Sequence, residues 1–179
     1  MDLHTARAIS RSPRARLAVS IPRMDELTRN TLLQRYREGY SAVASALAGI
    51  TPAELDARPD AESWTAREVV HHLADSEMTS AIRIRRLLAE ESPEITAYDE
   101  DLWRRKLRYD KRPIDGSLEA FRFARLTSAE VMDGIAPDDW LRVGTHSESG
   151  PYSVEAWLEI YARHAHDHAD QIRRARGGN

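Results

Sequence analysis

Apolar residues along this chain recur at intervals of three and four, the spacing of one face of an α-helix. Between Asp25 and Leu47 the series Leu32, Leu33, Tyr36, Tyr40, Val43 and Leu47 predicts a long amphipathic helix. Thr51-Pro52-Ala53-Glu54 opens a short one: Thr caps, Pro stands where its missing N–H costs nothing, and Glu closes a capping box. Thr65-Ala66-Arg67-Glu68 is a second capping box, and its helix is expected to run to about Glu91, ended by Pro93. Tyr98 to Arg108 reads as a short helix in a long connection. Another helix spans about Ser117 to Asp133 and stops at Gly134 and Pro137. The stretch Gly144 to Pro151 is polar and punctuated by Gly150-Pro151, which reads as a loop; Ser153 then caps the last helix. No strict alternation lies beside a hairpin turn signal, so no strands are expected. Four long helices joined by connections of variable length predict an all-α four-helix bundle, with residues 24–176 as a single domain.

Composition narrows the function. With 41% hydrophobic and 31% charged residues among 179, the chain suits a soluble globular domain. A net charge of -3 argues against a nucleic-acid partner, which calls for a basic excess. No segment approaches the ~20 consecutive apolar residues of a membrane span, so no membrane partner is expected. Cysteine is absent, which excludes a disulfide scaffold, a thiolate zinc site and a cysteine nucleophile. Any metal must therefore be held by His, Asp or Glu, and any thiol chemistry must use a thiol from outside the chain. Residues 1–23 carry Arg7, Arg11, Arg14, Arg16 and Arg23 against the single acid Asp2. They lack the compact apolar centre of a secretory signal. They read as a disordered basic tail, or as sequence ahead of a start at Met24; a transit peptide is the other match. The expected location is the cytoplasm.

Seven histidines are unevenly placed. In the last helix Val154, Trp157, Leu158, Tyr161, Ala165 and Ile172 define the apolar stripe, and His164 and His168 fall inside it. His166 falls outside, with Arg163 and Asp170. Residues at i and i+4 are neighbours on a helix surface, so two inward imidazoles there can grip one metal ion. Ala165 stands where a helical zinc protease carries its general-base Glu, and that class is rejected. The competing reading is a pair of core histidines satisfied by hydrogen bonds.

A third ligand would come from the Thr65 helix, whose stripe runs through Ala66, Val69, Val70, Leu73, Ile84, Leu87 and Leu88. His72 flanks that stripe beside Val69, Ser76 and Ser80, whereas His71 projects away, near Arg67 and Met78. Glu77 lies within the stripe and must be paired, hydrogen-bonded or protonated there. It reads first as a polar anchor between helices and second as an acid at the metal. Asp75 and Asp167 follow His72 and His164 by three residues and are candidates to orient those imidazoles. His146 either lines the mouth of the site or is a solvated loop residue. Trp64, Trp103, Trp140 and Trp157 read as packing residues, Trp103 doubling as a candidate pocket wall. Arg83, Arg85 and Arg86 read as a solvated basic face, or alternatively as a clamp for an anionic substrate.

Three neutral imidazoles would leave the full +2 charge on an ion and at least one open position, the mark of a catalytic site. Imidazole suits Zn, Ni, Cu and Fe, so the ligands alone do not choose the metal. A water or an external low-molecular-weight thiol in the open position would gain nucleophilic character.

The tract Val70-His71-His72-Leu73-Ala74-Asp75-Ser76-Glu77 resembles the second-helix motif of the DinB superfamily, in its YfiT-like branch. Tyr98-Asp99-Glu100 with Trp103 is similar to the mid-chain segment of that branch, and Tyr161, His164 and His168 to its last-helix motif. The resemblance runs from roughly Trp64 to Ile172. It implies a four-helix bundle with one divalent transition metal per chain, usually nickel or zinc, on His72, His164 and His168. It further implies a metal-dependent hydrolase, or a thiol S-transferase using bacillithiol, mycothiol or glutathione, and a homodimer. The expected function is thus a metal-dependent enzyme on a small-molecule substrate. The alternatives are a non-catalytic metal- or ligand-binding stress protein, and a structural helical dimer.

Overall fold

A computed structural model describes residues 23–177. The expectation of a disordered tail falls almost wholly on residues 1–22, outside the described residues.

Four long helices form the bundle: α1 (Glu26–Leu47), α3 (Ala66–Ala89), α5 (Asp115–Asp133) and α6 (Val154–Ala175). Two short helices, α2 (Pro52–Leu55) and α4 (Glu100–Lys106), lie in the connections. Caps fix most of the starts. Asp25 accepts from the Thr28 amide at 2.8 Å, and Ser153 from the Ala156 amide at 3.0 Å. Both predicted capping boxes form, at Thr51/Glu54 and Thr65/Glu68. Glu68, nearly fully buried, also accepts from Arg58 and Arg104, tying the segment before α3 and helix α4 to the start of α3. α1 lies along α6, and α3 packs on both α5 and α6. α3 and α6 run antiparallel: His72 meets His164, while the Trp157 indole donates to the Ser80 carbonyl at 3.1 Å. No helix among the described residues is long and apolar enough to cross a membrane.

The expectation of no strands is overturned. β1 (Glu94–Ile95) pairs in parallel with β2 (Val143–His146), which pairs antiparallel with β3 (Gly150–Ser153). The strands span only two to four residues, too few for alternation to register, and Gly144, Gly150 and Pro151 within them read as loop punctuation. Gly150 takes φ +78°, which closes the hairpin and which a Cβ disfavours. Ile95 and Tyr152 point inward and join Ile84, Leu87, Trp140 and Trp157 in one core cluster, so the sheet closes that end of the bundle. A second cluster, with Val69, Leu73, Phe121, Ala165 and Ile172, fills the other end.

Candidate metal centre

α3 and α6 each deliver histidines to the same point. The capping box at Thr65 fixes where α3 begins, and His72 follows two turns later; His164 and His168 are one turn apart on α6. The Nε2 atom of His164 lies 3.3 Å from Nε2 of His72 and 3.1 Å from Nε2 of His168. The three residues bring one ring nitrogen each within 4.8 Å of one another. Trp64 meets His72 edge-on with ring centroids 5.2 Å apart, and Tyr161 meets His164 at 5.7 Å.

Electrostatics keep all three rings neutral at neutral pH. Burial pushes His72 down to about 3, and the nearby His168 adds to the effect. Burial likewise holds His164 well below the ordinary imidazole range, with His168 and His72 contributing. His168 is lowered by burial, partly offset by its hydrogen bond to Gln171. That bond also sets a tautomer. The Gln171 Oε1 only accepts, so His168 donates through Nδ1 at 2.7 Å and turns a lone pair on Nε2 towards the cluster.

Do these residues fit a metal ion? Bonds of ~2.0–2.1 Å to imidazole set a tetrahedral edge of about 3.3 Å. The His72–His164 and His164–His168 nitrogen spacings, 3.3 and 3.1 Å, lie close to that edge. A cluster of three neutral rings with converging nitrogens is poorly satisfied by hydrogen bonds alone, because each ring carries a single N–H. A cation satisfies all three lone pairs at once. The set fits a divalent transition metal.

The other candidates are engaged elsewhere. Asp75 accepts from the Tyr109 hydroxyl. Glu77 is fully buried, pairs with the Arg125 guanidinium and accepts from the Tyr36 hydroxyl at 3.3 Å. Burial raises the Glu77 carboxyl and Arg125 opposes the rise. Asp167 is exposed. None of the three hydrogen-bonds a cluster imidazole.

His71 corrects the sequence reading: it is buried instead of projecting outward. α5 covers that face of α3. The Arg112 carbonyl only accepts, so His71 donates to it through Nε2 at 3.2 Å and accepts at Nδ1 from the Ser117 hydroxyl, 2.7 Å away. His146 is likewise in a strand and not a loop, with its ring 5.6 Å from that of Tyr152. Trp103 stacks on Tyr98 at 4.2 Å.

Two residues escaped the sequence reading although signals existed. Arg125 sits among Phe121, Ser128 and Met132 on the inward face of α5, a cation inside an apolar stripe. Gln171 follows His168 by one helical turn and orients it, a task for which an amide oxygen serves as well as a carboxylate.

Comparison with known proteins adds to this geometry. Residues 24–172 match the DinB superfamily. A protein of Oceanobacillus iheyensis named "Putative metal-dependent hydrolase" is 35% identical over 119 residues, covering 66% of this chain and 69% of the relative. One of Bacillus mycoides with the same designation is 30% identical over 140 residues, covering 78% and 80%. Among solved structures, YfiT from Bacillus subtilis, described as "a probable metal-dependent hydrolase with an unusual four-helix bundle topology", superposes with a TM-score of 0.80 at 27% identity, over 89% of this chain and 94% of YfiT.

Proposed function

This chain belongs to the DinB superfamily, and on that premise we propose that it is a metal-dependent hydrolase of small molecules whose single divalent ion is held by His72, His164 and His168. The observation that carries this reading is the convergence of three neutral imidazole nitrogens from two helices, at 3.1 and 3.3 Å. The names of the relatives support the reaction class. When bound, such an ion supplies Lewis-acid activation of a nucleophile at an open position.

The chain's own residues do the rest. Gln171 fixes the ring of His168, as the outer partner of a ligand histidine does. Trp64 and Tyr161 wall the rings of His72 and His164 with aromatic carbon, which limits water at their flanks. The ion pair of Glu77 with Arg125, buried beside the site, locks α3 to α5, while Arg125 also donates to the Tyr161 carbonyl of α6 at 3.3 Å. The elements bearing the three histidines are thereby held at fixed separation.

The test is a screen of esters and amides with the zinc- or nickel-loaded protein, run with and without bacillithiol, mycothiol or glutathione. Metal-dependent turnover lost in His164→Ala is the expected result. Turnover only with an added thiol would replace hydrolysis by S-transfer. Full activity in His164→Ala or after chelation would overturn the metal assignment.

A further inference from the structure

Among the described residues, three buried polar atoms without a partner at full hydrogen-bond geometry gather in one place: Ser80 Oγ, Arg83 Nε and Tyr152 Oη. Their centre is the Tyr161 hydroxyl. Arg83 donates to it through Nη1 at 3.2 Å, and through Nη2 to the Thr96 carbonyl at 2.8 Å. The Ser80 and Tyr152 hydroxyls both lie within loose hydrogen-bonding reach of the same hydroxyl, and Tyr152 is equally near Arg83. Tyr98 completes the wall, with the Arg83 guanidinium carbon 5.9 Å from its ring centre. Among the described residues Arg83 makes no ion pair, whereas Arg86, one turn along, pairs with Glu90. Glu100 is in electrostatic range of Arg83 but is exposed and short of ion-pair distance.

The chemistry of the unpartnered atoms selects a ligand. An arginine Nε–H and two hydroxyls can each donate, and none of the three has an acceptor at full hydrogen-bond geometry among the described residues. Burying donors without acceptors is unfavourable, and native folds rarely retain several together. One acceptor-rich group with negative charge would answer all of them and the guanidinium as well. A single guanidinium among neutral hydroxyls matches one negative charge, and its planar fork matches a carboxylate. A dianionic phosphate calls for a second cation, but Arg85 turns away, towards the Ser128 hydroxyl and the Thr127 carbonyl of α5.

Position gives the cluster its role. Tyr161 presents its hydroxyl to Arg83 and its ring to His164, so one aromatic side chain separates the two groups of residues. We propose that Ser80, Arg83, Tyr152 and Tyr161 form a subsite for the carboxylate end of the small molecule whose reacting end meets the histidine cluster. This inference rests on reading that cluster as the reaction centre.

The test is calorimetric titration of the full-length, zinc-loaded protein with propionate, its neutral counterpart propionamide, and inorganic phosphate. Propionate is expected to bind and propionamide not to. Arg83→Gln is expected to weaken propionate by about 10-fold or more, in line with the loss of a charge-assisted pair, with zinc content unchanged. Arg86→Gln, on the outer face, is expected to bind as the parent does. Should Arg83→Gln fail to fold, Tyr152→Phe, which removes one hydroxyl only, is expected to weaken propionate several-fold. The subsite is overturned by undiminished binding in these variants, by equal binding of propionamide, by tighter binding of phosphate, or by no binding of propionate. Loss of propionate in His168→Ala but not in Arg83→Gln would also overturn it, by placing the carboxylate at the histidines. Failure of the metal reading is separate: it shows as zinc absent from the parent protein, whatever the titrations give.

Discussion

Gln171 fixes which nitrogen His168 offers to the cluster, through a 2.7 Å hydrogen bond. Replacing it by Leu removes the acceptor and frees the ring. Outer partners of this kind are worth about 10–100-fold in metal affinity. Competition against a chelator should show a loss in that range for Gln171→Leu, with helicity unchanged; equal affinity would mean that the cluster orients itself. The histidines also set a pH dependence. Their folded pKa values lie below the unfolded value of about 6.5, His72 reaching about 3. Below 6.5 the unfolded chain takes up protons that the folded chain refuses. Stability should therefore be flat above that pH and fall as pH drops from ~6.5 towards ~3, at up to ~1.4 kcal/mol per pH unit for each such group. Urea unfolding at a series of pH values measures it; stability that rises on acidification would contradict the burial of neutral rings. The residue level was partly legible in sequence. His164 and His168 announced themselves because one turn of helix places both inside an apolar stripe. The burial of His71 is not legible from one apolar stripe, because a single stripe describes a helix packed on one side, and α3 is packed on two.

Among the elements, α3 bears most on the site, since its start sets the height of His72 in the bundle. Thr65→Ala removes the cap and half of the capping box and should cost about 0.5–2 kcal/mol in urea unfolding. Glu77 and Arg125 hold α3 against α5 from within, at 0% and 3% side-chain exposure. Arg125 also rests on the Tyr36 ring at 3.9 Å, against α1. Gly39 makes room for it: a Cβ there would stand 2.6 Å from Arg125 Nη2 and 2.7 Å from the Ala165 Cβ. Glu77→Ala leaves a buried guanidinium uncompensated and should destabilise by about 3–5 kcal/mol, against near-neutral change for the exposed Asp170→Ala. A small effect at Glu77 would mean that Arg125 finds another partner. The long helices were readable because period and caps agree over five or six turns. The sheet was not, because its strands are short and its pairing joins Glu94 to Thr145 across about fifty residues, which no local pattern encodes.

At the level of the whole molecule, four helices hold a small polar constellation between an apolar cluster at each end. Such a bundle projects side chains from facing helices to one point without any loop in the site, and rigid supports suit a metal centre. The histidine cluster and the arginine-tyrosine cluster share Tyr161, whose ring meets His164 and whose hydroxyl accepts from Arg83. The superfamily and the bundle were legible from short tracts on α3 and α6. The placement of Arg83 was not, because its partners Thr96 and Tyr161 lie 13 and 78 residues away in sequence.

The most direct test of the central claim is elemental analysis of protein purified without chelator or nickel resin, beside His168→Ala. The account predicts about one zinc or nickel ion per chain in the parent and loss of that ion in the variant. No metal in the parent, or equal metal in both, would contradict it and return the three histidines to the core.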